Sequence, residues 1–359
     1  MRAKSPPATP ALCFIQAWII LLQIEYLLNF LSRATQIFIA SFAVGHMAQS
    51  MAKTLTGMGN CVEKYACASR DVEKSKLFAK TYGFSKANGS YEELVQDKKV
   101  ELIYIASPHS HHYEHIKLCL EHEKHVLCEK PFTVNASQAR EVFSLAKEKK
   151  LLLTEAIWPR YQPFIKELQK TIASGIIGEV TTVTANLFYS IDMNQRIHDI
   201  NLAGGALLDV GIYAINFALM CLGNDVEKVT AVCQKFESGV DKQSAVILNY
   251  ADGKMAVTCS GTQAISDRKG IISGRKGHII VENINSPESF SVYDSQRKLI
   301  SEHKAPKSIT GYEYEVLASM EAIKKGTLEC ADCSHAQSIK LLEIMDEARA
   351  QMGIKYPFE

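Results

Sequence analysis

From residue 36 onward, short apolar runs alternate with stretches in which apolar side chains recur every three or four positions. The first pattern suits strands buried on both faces, and the second suits helices that cover them. The runs predict strands over residues 37–42, 62–68, 100–106, 126–128 and 151–155, and the periodic stretches predict helices over 46–56, 72–82, 112–123 and 136–149. In the first helix Met47, Met51 and Leu55 share a face, and Asn135 stands where a side chain would cap the last one. Strand and helix in alternation define an α/β fold with a doubly wound parallel sheet, whose ligands gather beyond the carboxyl ends of the strands.

After Glu179 the period shortens to two. Residues 180–189, 229–236, 270–282 and 290–293 alternate like strands with one solvated face, and 245–250 pairs with 254–260 across Ala251-Asp252-Gly253 as a hairpin. These segments predict a C-terminal α+β domain with an open, largely antiparallel sheet. Residues 334–352 predict a closing helix with Ile339, Leu342, Ile344 and Met345 inward. A length of 359 residues fits two domains. The expected division is an atypical extension over 1–35, a nucleotide domain over 36–157 and a substrate and dimerisation domain over 158–359.

The extension differs in composition. Of the charged residues only Arg2, Lys4, Glu25, Arg33 and Lys53 fall in the first sixty positions, and residues 11–31 are almost unbrokenly apolar. That stretch reaches spanning length, while Gln16, Gln23, Glu25 and Asn29 oppose insertion. Arg2 and Lys4 ahead of residues 12–22 are arranged like a signal peptide, but no small-x-small cleavage site follows. An anchor, a signal and a segment laid against the folded body all stand as readings, and any membrane contact would run through residues 11–31. Over the whole chain 40 basic side chains nearly cancel 39 acidic ones, which leaves no electrostatic footprint for nucleic acid. Ten scattered cysteines do not form a disulfide framework and fit a reducing, cytoplasmic setting; the lone pair Cys330 and Cys333 reads as incidental.

Candidate chemistry lies along the predicted carboxyl edge. The turn Ala43-Val44-Gly45-His46-Met47-Ala48 has the place and spacing of a Rossmann dinucleotide fingerprint, with Ala43 in place of its first glycine. The second strand ends at Ser69-Arg70-Asp71; a guanidinium there favours NADP by pairing with a 2'-phosphate, unless Arg70 pairs with Asp71. Lys130, at the end of another strand, is a catalytic group or a surface charge, and its bond to Pro131 is one where a cis peptide is inexpensive. Asp209 and Tyr213, four residues apart on a helix opened by Gly204-Gly205, share a face. A phenol needs a nearby cation to act as a base at neutral pH, and Lys130 is the expected source. The alternative for this pair is an acid at a helix start and a buried ring. His109, His111, His112 and His115 crowd one loop, but no acid or thiol stands at ligand spacing, so no metal is expected.

Over residues 37–355 the chain resembles the glucose-fructose oxidoreductase and inositol dehydrogenase family. The resemblance rests on Gly45, Ser69-Arg70-Asp71, Ala106-Ser107-Pro108 before His112, Glu129-Lys130-Pro131, Gly175-Ile176-Ile177-Gly178, and Gly204-Gly205 through Tyr213. Glu155-Ala156-Ile157-Trp158-Pro159-Arg160, and Tyr213 where most members carry His, resemble its dihydrodiol-oxidising branch. The resemblance implies NADP held by Gly45, His46, Met47, Ser69, Arg70, Ser107, Pro108, His112, Glu129 and Lys130. It also implies catalysis by Lys130, Asp209 and Tyr213, a substrate wall at Trp158 and Arg160, and a homodimer formed through the free sheet face. The implied reaction is oxidation of a trans-dihydrodiol to a catechol, or of D-xylose or a related aldose. Rival readings are another sugar or inositol oxidoreductase and a non-catalytic NADP-binding sensor or scaffold, which Ala43 favours. A Cβ where the turn needs positive φ would cost about 1 kcal/mol and crowd the pyrophosphate.

Overall fold

The computed structural model describes residues 37–359, so the apolar stretch at 11–31 lies outside the described residues. Six parallel strands form the first sheet: β1 (Ile37–Phe42), β2 (Val62–Ala68), β3 (Lys86–Asn88), β4 (Leu102–Ile105), β5 (His125–Glu129) and β6 (Leu153–Ala156). Their order is β3-β2-β1-β4-β5-β6. The chain reverses direction across the sheet between β1 and β4, so the turns after β1, β2, β4 and β5 share one edge, where doubly wound sheets bind ligands. The connecting helices are α1 (His46–Gly57), α2 (Val72–Tyr82), α3 (Tyr91–Val95), α4 (His112–Glu121) and α5 (Ala136–Lys149). Asp71 caps α2 by accepting from the Glu73 and Lys74 amides, and Asn135 caps α5 by accepting from Gln138. Strand β3 and helix α3 span only three and five residues, too few to show a period.

The turn Trp158–Tyr161 and helix α6 (Pro163–Ala173) lead into the second unit. There β7 (Val180–Phe188) is followed by α7 (Gln195–His198) and α8 (Ile212–Leu222). The remaining strands are β8 (Val226–Lys235), β9 (Asp241–Tyr250), β10 (Met255–Gly261), β11 (Gly270–Gly274), β12 (Gly277–Glu282), β13 (Ser289–Asp294) and β14 (Leu299–Lys304). The sheet order is β14-β13-β12-β11-β7-β10-β9-β8; β7 and β10 pair in parallel and every other neighbour is antiparallel. The run expected as one strand over 270–282 is a hairpin that reverses at Arg275-Lys276, with Gly274 opposite Gly277. Residues 200–222 are long and apolar enough by composition to cross a bilayer, yet they lie almost wholly buried inside the protein. Uniform apolarity here marks a helix packed on all sides.

Helices α9 (Glu313–Lys325) and α10 (His335–Met352) close the fold. Ser334 and Gln337 cap α10 reciprocally as a capping box. Leu342, Ile344 and Met345 are buried as expected, with Leu341, while Ile339 is only partly covered. Helix α9 returns to the first sheet: Val316 and Met320 join a core with Ile39, Leu102, Tyr104 and Leu127. One layer over the nucleotide sheet is therefore built from the carboxyl-terminal part of the chain.

Candidate active site

The turn after β1 holds Ala43 at φ 75, a conformation natural to glycine, and anchors it through its amide to the Ala68 carbonyl at 3.0 Å. Gly45 is extended rather than left-handed, so its role is space: a Cβ built on it meets nothing within 4 Å. No side chain caps α1, whose first turn carries His46 and Met47. Free amides facing open space at a helix start are a donor set for a pyrophosphate, so the turn fits a dinucleotide despite Ala43.

Ser69 is buried and accepts from the Asp71 amide at 3.2 Å. Asp71 is engaged by the α2 amides and by Lys74 rather than by Arg70. Arg70 is exposed beside a cavity of about 210 Å³ lined by Ser90, Tyr91, Glu92, Ser107, Pro108, His111 and His115. His112 is among the residues expected at the cofactor. It is fully buried, with Nδ1 2.8 Å from the Pro131 carbonyl and Nε2 2.9 Å from the Ser107 carbonyl. It ties the turns after β4 and β5 together from behind, and Lys130-Pro131 is cis.

At the end of β5, Glu129 is buried and accepts from the Tyr104 hydroxyl at 2.5 Å. Burial, opposed by that bond and by Lys130, raises its carboxyl to about 7. The Lys130 ammonium donates to the Asp209 carbonyl at 2.7 Å, lies 3.5 Å from Asp209 Oδ1, and sits 4.9 Å from the centre of the Tyr213 ring. Lysine, aspartate and tyrosine thus meet, although they come from both units. Residues Leu207–Gly211 form a π-helical turn ahead of α8, and the Asp241 carboxylate accepts from the Leu207 amide at its start. A widened turn is a common device at functional sites.

Two residues that sequence reasoning did not assign complete this cluster. Arg196, on α7, donates to Asp209 Oδ1 at 2.9 Å, and its other arm lies 3.3 Å from His109 Nε2. Burial and Arg196 push the His109 ring well below its usual range, so it is neutral, donating from Nδ1 to the Ala203 carbonyl at 3.1 Å and accepting from Arg196. Burial would raise the Asp209 carboxyl, but Lys130 and Arg196 hold it well below the usual carboxylate range. The crowding of histidines pointed toward His109; nothing in the sequence pointed to Arg196.

Tyr213 behaves otherwise than its neighbour predicted. Burial first, and then Glu129 and Tyr312, push its phenol well above the ordinary value. Lys130 lies near the ring and is bonded to Asp209, so the resting phenol is protonated rather than held as a phenolate. Trp158, expected as a substrate wall, is tilted against Tyr312 with ring centres 4.8 Å apart and donates to Asn285 Oδ1 at 3.2 Å. Asn285 in turn donates to the Tyr189 hydroxyl at 3.1 Å. Arg160, expected beside Trp158, is buried and donates to Asn216 of α8 at 2.6 Å, which pins the turn that bears both. Among the described residues no group of three or more His, Cys, Asp or Glu side chains is placed to hold a metal ion.

Uncapped amides at the start of α1, together with a lysine, an aspartate and a phenol gathered at the end of β5, suit a nicotinamide dinucleotide and a small hydroxylated or carbonyl partner, the class of dehydrogenases. Residues 42–157 match an oxidoreductase family with an NAD-binding Rossmann fold, and residues 165–280 match the GFO/IDH/MocA C-terminal domain. The chain belongs to the GFO/IDH/MocA oxidoreductase family. It is 36% identical over 298 residues to trans-1,2-dihydrobenzene-1,2-diol dehydrogenase of Xenopus tropicalis, covering 81% of this chain and 90% of that one. It is 35% identical over 299 residues to the Homo sapiens enzyme of the same name, covering 81% and 89%. Among solved structures, an Actinomadura kijaniata 3-ketoreductase in complex with NADP superposes with a TM-score of 0.82 at 24% identity, over 89% of this chain and 98% of that one. The protein is a dehydrogenase that uses a nicotinamide cofactor.

Proposed function

We propose that the protein is an NADP-dependent dehydrogenase that oxidises trans-dihydrodiols, with D-xylose or a related aldose as a second substrate class. The observation that carries the reading is the meeting of Lys130, Asp209 and Tyr213. The relatives named for dihydrobenzenediol support the diol, and the flat aromatic wall suits either a planar diene or the C–H face of a pyranose. Arg70, not neutralised by Asp71, supports the 2'-phosphate form of the cofactor.

When bound, the nicotinamide ring takes the hydride from the carbinol carbon. The chain's own residues handle the proton. In the direction of carbonyl reduction Tyr213, protonated in its resting state, donates to the carbonyl oxygen. In the direction of oxidation it must first ionise before it takes the hydroxyl proton. Asp209, ionised throughout the working range, fixes the Lys130 ammonium and offers an acceptor to a second hydroxyl. Spectrophotometric assay of NADPH formation with trans-1,2-dihydrobenzene-1,2-diol and with D-xylose tests the reading. Turnover of either supports it, and no turnover of both at saturating NADP removes it.

The second sheet supports a homodimer. Ile247, Val257, Thr184, Ile271 and Ile280 are register partners in one row across β9, β10, β7, β11 and β12, on the face away from the buried core. An apolar row on an uncovered sheet is a surface for a second copy. Nine free cysteines among the described residues support a reducing, cytoplasmic setting.

A further inference from the structure

Trp158, Asn285 and Tyr189 form a chain of hydrogen bonds whose direction is fixed at one end. An indole N–H can only donate, so the oxygen of the Asn285 amide faces Trp158 Nε1, at 3.2 Å. The amide nitrogen therefore faces Tyr189, and it too can only donate, at 3.1 Å. The Tyr189 oxygen is the acceptor of that bond, and its own proton has no acceptor among the described residues.

Both ends of the chain are anchored through the backbone. Tyr189 directly follows β7, and its amide donates to the Gly261 carbonyl at 3.1 Å. Asn285 lies in the turn after β12, where the Asn283 side chain accepts from the Ser286 amide at 3.1 Å and donates to Glu288 at 3.1 Å. The Ile284 amide donates to the Arg268 carbonyl at 2.9 Å, and the Arg268 guanidinium stands 5.7 Å from the centre of the Tyr189 ring. A cation over the ring draws electron density from the phenol and makes its O–H a better donor. Trp158 is buried, whereas Asn285, Tyr189 and Tyr312 are half-buried. Burial first, and then Glu129, Glu315 and Tyr189, raise the Tyr312 phenol, and Tyr312 acts in turn on Tyr213. The free donor thus stands in the neighbourhood of the catalytic phenol, one tyrosine removed.

We infer that Tyr189 is a specificity-determining residue whose hydroxyl donates to a substrate oxygen beyond the reacting carbon, with Asn285 as the positioning residue that keeps this proton free, and that it favours an aldose over a dihydrodiol. The inference rests on the dehydrogenase reading above and decides between its two substrate classes. A dihydrobenzenediol carries only its two hydroxyls; one reacts at Tyr213 and the other meets Asp209, so the rest of its ring is hydrocarbon. A pyranose has further oxygens around its ring, one of which accepts from Tyr189. A donor covered by hydrocarbon and left without a partner costs affinity, so the hydroxyl that helps the sugar hinders the diol.

The test compares kcat/KM for D-xylose and for trans-1,2-dihydrobenzene-1,2-diol at saturating NADP in the native chain and in two variants. Tyr189→Phe removes only the hydroxyl and should move the ratio of the two values toward the diol by about three- to tenfold, the range of one neutral hydrogen bond, through KM for D-xylose rather than kcat. Asn285→Asp keeps the shape of the side chain but sets an acceptor opposite Tyr189, which turns the phenol proton away from the substrate, and should move the ratio the same way. The double variant should move it no further, because both changes act on one proton. An unmoved ratio in Tyr189→Phe overturns the inference, as does a shift carried by kcat alone or turnover of the diol without any of D-xylose. A shift in Tyr189→Phe with none in Asn285→Asp overturns the role of Asn285. Turnover of neither substrate by the native chain sinks the dehydrogenase reading together with the inference, whereas turnover with an unmoved ratio leaves that reading standing. Should one variant fail to fold, the other still decides.

Discussion

Charge placement around Asp209 sets how individual residues behave. Its Oδ1 receives Arg196 at 2.9 Å and Lys130 at 3.5 Å, and both cations keep it ionised against burial. Arg196→Met should therefore raise the Asp209 pKa, move the acid limb of the kcat/KM profile upward and lower kcat/KM at neutral pH by about tenfold or more, because one charge-assisted bond is worth roughly 1.5–3 kcal/mol. An unmoved acid limb would show that Arg196 acts elsewhere. Tyr213 stands under the opposite influence, with its proton held by burial and by Glu129. Oxidation should accelerate with rising pH through and beyond the ordinary phenol range near 10, while carbonyl reduction should stay flat across neutral pH. Tyr213→Phe should lower turnover by about a hundredfold or more and leave NADP binding in place. Rate profiles in both directions, with cofactor fluorescence for binding, check these outcomes.

Among the elements, α9 connects the sheet core to the Trp158 indole. Glu313 in its first turn accepts from the amides of Ile309, Thr310 and Gly311, which fixes the loop ahead of the helix. Gly311 has φ +93 and lies under Trp158, where a Cβ would come within 2.6 Å of the indole. Gly311→Ala should strain the loop and push the indole, raising KM for the diol several-fold with a smaller change in kcat and little change in Kd for NADP. Equal KM values in the two proteins would show that the indole does not bound the substrate. The loop also meets α1, where the Thr310 and Thr54 hydroxyls lie 2.6 Å apart, so α1 and Trp158 share one support. This shared support was hidden in the sequence, because residues 54 and 310 belong to segments with no common period.

For the whole molecule, the half-buried row of Ile247, Val257, Ile271 and Ile280 across the second sheet predicts association. Val257→Asp places a charge within it and should give a monomer by light scattering at concentrations where the native chain is a dimer. A native chain that is already monomeric removes the dimer from the account. Helix α9 also joins the two ends of the chain: Val316 and Met320 are packed against strands laid down some two hundred residues earlier. Met320→Ala should cost about 2–5 kcal/mol, read as a lower melting temperature, because the cavity would open within the core of the nucleotide sheet.

Much of the architecture was legible locally. Strands buried on both faces appear as apolar runs, amphipathic helices carry their period and, at Asn135, a cap, and the chemical motifs fall where strands end. Ala43 also declared its backbone conformation in advance, because the turn demands positive φ whatever residue occupies it. These features depend on neighbours within a few positions. What only the tertiary structure decided depends on distant segments and on removal of water: the recruitment of Arg196, the buried bonds of Arg160 and His112, and the protonation of Tyr213. A side chain's charge and partners follow from desolvation and from which other charges arrive within a few ångströms, and no local period in the sequence encodes that arrival.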